Sequence, residues 1–228
     1  TITSYREPVD ISALSNIKFY FEADLESFSN GAAVGQVTNQ VAAVHPASSG
    51  TSRPVFIASE SALNNKPCIS FDGVNDYLYA YQGDTITNYT IGFVYAGLTT
   101  NDYLETIFSG QSNSDAFSPS GGDRQFNLVG IGYAAALFTL PAKGVIIIKV
   151  NPSANNVKVW VNDTKIIDGT LSASLTGATF VCQYYLGTYA VSTYCLVKLA
   201  MAFMTHGLVS DTQIGQIIED MNVKYNLF

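Results

Sequence analysis

Apolar and polar residues alternate along most of the chain. In "NVKVWVND" (156–163), Val157, Val159 and Val161 fall on one side and Lys158, Trp160 and Asn162 on the other. That is the period of a strand with one face in a core. "IKFYFEA" (17–23), "YTIGFVYAGL" (89–98), "YLETIFSG" (103–110), "RQFNLVGIGY" (124–133), "TFVCQYYLG" (179–187) and "CLVKLAMAF" (195–203) also read as strands. In the second of these, Ile91, Phe93 and Tyr95 share a face. "GVIIIKV" (144–150) reads as a strand buried on both sides. Turn clusters separate them: "SNSDAF" (112–117), "SPSGGD" (118–123) and "NPSANN" (151–156). About a dozen strands at this spacing predict an all-β, antiparallel two-sheet jelly-roll sandwich.

One segment changes period. In "GLVSDTQIGQIIEDMNVKYNLF" (207–228), Ile214, Ile217, Ile218, Met221 and Tyr225 recur at helical spacing. Ser210 with Gln213 has the form of a capping box, and Val209 with Ile214 that of a hydrophobic staple. A C-terminal helix over about 211–224 is predicted, with its apolar stripe docked on the sandwich. No linker or repeat interrupts the pattern, so one domain over 1–228 is the economical reading.

"KPCISFDGVNDYLYAY" (66–81) alternates on both sides of Asp72-Gly73. Asp-Gly between alternating strands is a hairpin signal. The same stretch puts Asp72, Asn75 and Asp76 within five residues. Two readings follow. Asp and Asn side chains bind nearby backbone N–H groups and shape turns. Alternatively the three oxygens are half of a calcium site, which needs six to eight. The turn is the simpler reading, and no cofactor is expected unless that calcium is bound.

Charged residues are 13% of the 228, against about a quarter in an ordinary domain. The net charge is −7, with no Lys/Arg run. This argues against a nucleic-acid partner and against an anionic membrane surface. No stretch is apolar for the ~18 residues of a membrane span. "TITSYREPVD" lacks a secretory leader's basic and apolar regions, so use without secretion through a signal peptide is expected. Cys68, Cys182 and Cys195 have no zinc spacing and sit in apolar runs, so buried free thiols are expected.

Four stretches carry a family resemblance: "IKFYFEADLESFSNGAAVGQVTNQ" (17–40), "RPVFIASESALNNKPCISFDGVNDYLYA" (53–80), "GVIIIKVNPSANNVKVWVNDTKIIDG" (144–169) and "YLGTY…CLVKLAMAFMTHGLVSDTQIGQII" (185–218). Together they resemble the concanavalin-A-like lectin/glucanase superfamily, in particular laminin-G-like jelly rolls of phage and bacterial proteins. Two departures stand out. Val37 replaces an aromatic residue after the opening turn. Asn162-Asp163 replaces a Val-Asn-Gly hairpin end, which implies an Asx-type turn.

"EADLE" (22–26) resembles the catalytic signature of retaining glucanases in that superfamily. On a strand Glu22, Asp24 and Glu26 would share a face. However, residues four apart on a strand are ~13 Å apart, and retaining hydrolysis needs carboxyl groups about 5–5.5 Å apart. The motif also stands at the exit of the first strand, with "SFSNG" behind it. A solvated strand end is the expectation there.

The resemblance to a fold common in phage proteins, together with the lack of a leader, the low charge and the lack of a credible catalytic set, leads to the expectation of a non-enzymatic module: a virion surface protein such as a capsid decoration, head fibre or tail adhesin, on the virion surface. Its partners would be other virion subunits or cell-surface carbohydrate, and it would be oligomeric or part of a larger assembly. The alternative is an extracellular carbohydrate-binding module, or a retaining glucanase using Glu22 and Glu26. Ligand contacts are expected in two long loops, 111–124 and 184–194. Phe117, Asp123 and Arg124 would offer an apolar anchor flanked by charges, and Tyr185, Tyr189 and Tyr194 stacking faces.

Overall fold

The computed structural model describes residues 6–48, 50–97, 108–109, 116–120, 125–129, 133–134, 140–170, 180–186, 188–189, 193–194 and 196–228, and within 81–86, 108–134, 180–185 and 188–194 it describes the backbone alone. The strands are β1 (Ile17–Glu22), β2 (Val55–Glu60), β3 (Lys66–Asp72), β4 (Leu78–Ile86), β5 (Tyr89–Ala96), β6 (Phe108–Ser109), β7 (Ala116–Ser120), β8 (Gln125–Val129), β9 (Tyr133–Ala134), β10 (Lys143–Asn151), β11 (Asn156–Val161), β12 (Thr164–Thr170), β13 (Phe180–Leu186), β14 (Thr188–Tyr189), β15 (Thr193–Tyr194) and β16 (Leu196–Thr205). The helix α1 spans Asp211–Tyr225.

The larger sheet runs β12-β11-β10-β5-β16-β3-β2. β16 is flanked by β5 on one edge. On its other edge β3 pairs with Leu196–Leu199 and β1 with Met201–Thr205. The second sheet runs β4-β13-β6-β7-β8-β9, and β14 and β15 form a small ribbon. Every pairing among them is antiparallel. The chain is an all-β sandwich with one C-terminal helix, as its periodicity predicts.

Alternation sorts the large sheet's residues into two cores. Ile91, Phe93 and Tyr95 of β5, Ile146, Ile148 and Val150 of β10, and Val157, Val159 and Val161 of β11 fill the space between the sheets. Val94, Val145, Ile147, Trp160 and Phe203 point the other way, into a second core beneath α1. A register shift between Leu199 and Met201 places Ala200 and Met201 both on the helix side. Gly92 is required there, because a Cβ would lie 2.1 Å from the buried Phe203 ring.

Ile214, Ile217, Ile218, Met221 and Tyr225 are all buried under α1. The Ser210–Gln213 capping box forms, and Val209 and Ile214 lie in the same core. At the helix N-terminus Asp211 accepts from Lys149 (2.7 Å) and Lys158 (2.8 Å). Lys149 also donates to the Val209 carbonyl. Hydrogen bonds from Lys149 and then Lys158 hold the Asp211 carboxyl down at about 2. Its unfolded value is about 3.9, so the clamp is fully present above pH ~4 and fades as pH falls through about 2. Asp211→Asn should therefore lower Tm at pH 6, and the difference from wild type should vanish near pH 2. A difference independent of pH would show that Asp211 does not stabilise through its charge.

Four expectations need correction. Asp72-Gly73 does not close a hairpin: β3 lies in the large sheet and β4 in the other. Residues 111–124 are not one long loop, since β7 runs through Ala116–Ser120 and pairs with β6 and β8. Residues 184–194 likewise contain the end of β13 and the β14–β15 ribbon. Asp-Gly, Ser and Pro are compatible with sheet-crossing arches and short edge strands as well as with hairpins and loops. Asn162 does not make an Asx-type turn. It adopts φ 53°, and its side-chain oxygen accepts from Val145 N of β10 (3.0 Å).

Candidate functional site

The arch from β3 to β4 is built by its own carboxylates. Asp72 Oδ1 accepts from Val74 N (2.8 Å), Asn75 N (3.1 Å) and Asp76 N (3.4 Å). Asp72 N donates back to Asp76 Oδ2 at 3.0 Å. Asp76 is buried, and burial together with Asp72 nearby raises its carboxyl above the usual range. The three candidate calcium ligands are thus brought into one arch, with two of their oxygens already used by backbone amides. Among the described residues no group of three or more His, Cys, Asp or Glu side chains forms a metal-binding cluster.

"EADLE" does not continue the strand. β1 stops at Glu22, and Ala23–Leu25 make a 3-10 turn. Glu22, Asp24 and Glu26 therefore do not line up as strand geometry would place them. Glu22 is buried, not solvated. Tyr20 Oη donates to Oε2 (2.6 Å), while Tyr225 Oη (2.7 Å) and the Lys224 ammonium donate to Oε1. Burial alone would raise the Glu22 carboxyl, but hydrogen bonds from Lys224, Tyr20 and Tyr225 outweigh it and hold the group below the ordinary carboxylate range. Lys224 also pairs with Asp24 (3.3 Å). Glu26 instead accepts from Thr38 N at 2.6 Å, tying down the loop beyond. The two carboxylates thus serve different contacts: Glu22 joins β1 to the end of α1, and Glu26 holds a loop. A groove of about 550 Å³ opens beside the first of these, between Arg6–Val9 and α1. Arg6 closes one wall by pairing with Asp220.

Of the predicted contact residues, Asp123 and Arg124 lie outside the described residues. Tyr189 and Tyr194 are placed by backbone in the ribbon, where Thr188 stands opposite Tyr194. Tyr185 stands opposite Tyr79 on β4 and Ser109 on β6. Phe117 falls one register row away, in line with Phe108, Leu186 and Leu78. Leu78 and Leu186 are buried between the sheets. Phe117 is therefore a strand residue in that row, not the tip of a loop. Cys68 is a buried free thiol pushed up to about 12 by burial, then by Glu60. The side chains of Cys182 and Cys195 lie outside the described residues.

Sequence reasoning missed Lys224 and Tyr225 as partners of Glu22. They lie more than two hundred positions away, and nothing local marks the pairing. It also missed Lys149 and Lys158 as the clamp on Asp211, although their place on alternating strands was legible.

No protein-family model matches the sequence, and no curated protein matches it significantly. Solved structures do match. A Trypanosoma rangeli sialidase in complex with 2,3-difluoro-KDN is 11% identical, with a TM-score of 0.59, over 96% of this chain and 36% of that one. A receptor binding domain is 13% identical, with a TM-score of 0.53, over 68% of this chain and 42% of that one. Domain 4 of a GH43 extracellular arabinanase from Geobacillus stearothermophilus, in complex with arabinotriose, is 12% identical, with a TM-score of 0.50, over 90% of this chain and 98% of that domain. The chain spans about a third of the length of the sialidases it matches. These neighbours overturn the expectation of a non-enzymatic module: this fold occurs within enzymes, a Trypanosoma rangeli sialidase and a GH43 arabinanase. At such identities the likeness is one of fold, and it places the chain among the β-sandwiches found in sialidases and an arabinanase.

Proposed function

We propose that the chain is a lectin-like, carbohydrate-binding β-sandwich, one domain over 1–228, of the concanavalin-A-like superfamily. The observation that carries this reading is the near whole-domain match to domain 4 of the arabinanase, which was solved with arabinotriose bound. The composition supports it: low charge with many Tyr, Ser, Thr and Asn gives surfaces suited to polar, hydrated ligands. The binding surface would lie on the β4-β13-β6 side of the second sheet and its ribbon, where Tyr79 and Tyr185 are cross-strand neighbours and Tyr189 and Tyr194 follow. Tyrosine faces stack on sugar rings while the hydroxyl stays polar.

A glycan panel of arabino-oligosaccharides, β-glucans and sialylated glycans tests this. Wild type should bind at least one class, and Tyr185→Ala or Tyr189→Ala should weaken it at least tenfold with Tm unchanged. No binding to any class would sink the reading.

A second reading places such binding in host attachment by a virion surface protein. The likeness to a receptor binding domain favours it. Under it, cell-surface carbohydrate is the partner, other virion subunits would anchor the module, and the protein would co-purify with particles.

A further inference from the structure

The chain has a single tryptophan, Trp160, and it floors a groove of about 280 Å³ on the helix side of the large sheet. This face of the large sheet is turned away from the core between the two sheets. Ile218 and Phe228 supply the groove's other apolar walls. Asp163, Glu219 and Asn222 supply its polar rim. Asn222 Oδ1 is occupied by the amides of Leu227 (2.9 Å) and Phe228 (3.0 Å), so its Nδ2 is the end left to donate. Asp163 is exposed on the tight turn between β11 and β12, and its Oδ1 takes only the Thr164 hydroxyl among the described contacts.

Gly215 adds a second, independent observation. It lies in the interior of α1, where glycine costs about 1 kcal/mol relative to alanine. A Cβ at this position would meet nothing within 4 Å, so neither packing nor backbone geometry calls for glycine. What the missing side chain does is keep the helix wall of the groove open.

From these features we infer that the Trp160 groove is a sugar subsite that takes one neutral monosaccharide unit. A volume just under the ~300–1,000 Å³ of drug-sized pockets suits a single ring. Trp160 is 7% exposed and Ile218 3%, so with the exposed Phe228 they offer a sugar's C–H groups a small apolar patch rather than a whole ring face, and a carboxylate-amide rim matches its hydroxyls. Asp163 on the rim repels an acidic sugar, while Glu219 is paired with Arg6 at 3.3 Å and adds little. The ligand class rests on the carbohydrate reading above, but the site is separate from the surface proposed there.

Because Trp160 is the only tryptophan, its fluorescence reports this groove alone. The probes are methyl α-L-arabinofuranoside, methyl β-D-galactopyranoside and methyl β-D-glucopyranoside, with N-acetylneuraminic acid as the acidic counterpart. At least one neutral glycoside should change the emission saturably, and the acidic sugar should bind at least tenfold more weakly. Gly215→Leu should fill the groove without lowering Tm and weaken binding at least tenfold. If Gly215→Leu proves unstable, Asp163→Ala on the exposed turn should give the same loss. The inference is overturned if no neutral glycoside gives a saturable change, or if the stable variant responds as wild type does. Glycan-panel binding with silent tryptophan emission would remove this subsite and leave the proposed function standing. A tryptophan response that survives Tyr185→Ala alongside a negative panel would keep this subsite and remove the surface proposed on the second sheet.

Discussion

Ile218→Asp is expected to lower Tm by roughly 8–16 °C, which corresponds to about 4 kcal/mol in a chain of this size. Ile218 is only 3% exposed and lies in the core shared by α1 and the large sheet. The substitution removes a buried side chain worth ~1.5–3 kcal/mol. It also leaves a carboxylate in an apolar layer, which ionises only at a further cost or takes up a proton. Val223→Asp on the same helix is the control, since Val223 is 78% exposed and should shift stability by no more than ~0.5 kcal/mol. Equal melting curves for Ile218→Asp and wild type would mean that α1 is not docked. An apolar replacement such as Ile218→Val should cost only ~0.5–1.5 kcal/mol, because it leaves no charge behind.

Glu22→Ala should be the next most damaging substitution, at about 3 kcal/mol. Breaking a buried ion pair by removing one partner typically costs ~3–5 kcal/mol. Here the orphaned groups are the Tyr225 hydroxyl, which is fully buried, the half-buried Tyr20 hydroxyl and Lys224. Lys224 is 30% exposed and can turn to water, which places the estimate at the lower end of the range. The carboxyl is held below its ordinary value, so its contribution is complete above the unfolded pKa of about 4.3. That contribution is lost as pH falls through the lower folded value. The gap between wild type and Glu22→Ala should therefore narrow under acid, and thermal melts between pH 7 and 3 would show it. If Glu22→Ala instead abolished a glycoside-hydrolase activity while leaving Tm unchanged, Glu22 would belong to a catalytic site and not to the framework.

Strand periods and the helix were legible because each depends on neighbours two to four residues away. Val157, Val159 and Val161 fill the inter-sheet core as their alternation implies. Ser210 and Gln213 cap the helix as their spacing implies. What could not be read is where the chain goes between elements. Asp72-Gly73 has the composition of a hairpin turn, yet whether the following strand pairs back or crosses to the other sheet depends on partners far along the chain. Leu78 pairs with Leu186 of β13, not with β3. The same limit hid Glu22. Its buried role is set by Lys224 and Tyr225, so the motif "EADLE" alone suggested a solvated strand end or a catalytic pair. The Trp160 groove had one local sign, an unneeded glycine in the helix, and that sign acquires meaning only once the helix is set against β11 and its turn.

The placement of β16 bears on how the chain reaches this structure. β1, β3 and β5 each pair with β16, which lies between them and is synthesised after all three. The link from Ser15 to Thr205 closes over 190 positions, and that from Glu22 to Tyr225 over 203. Pairings of such long range slow folding, because a large loop must close before any contact rewards it. During synthesis the apolar edges of β1, β3 and β5 therefore wait without the partner they share. Unpaired edges in that interval are templates for joining other chains. Yield in a cell should thus depend on how quickly residues 196–225 emerge and dock, and a slow stretch of translation just before them should increase aggregation without changing the stability of the finished protein.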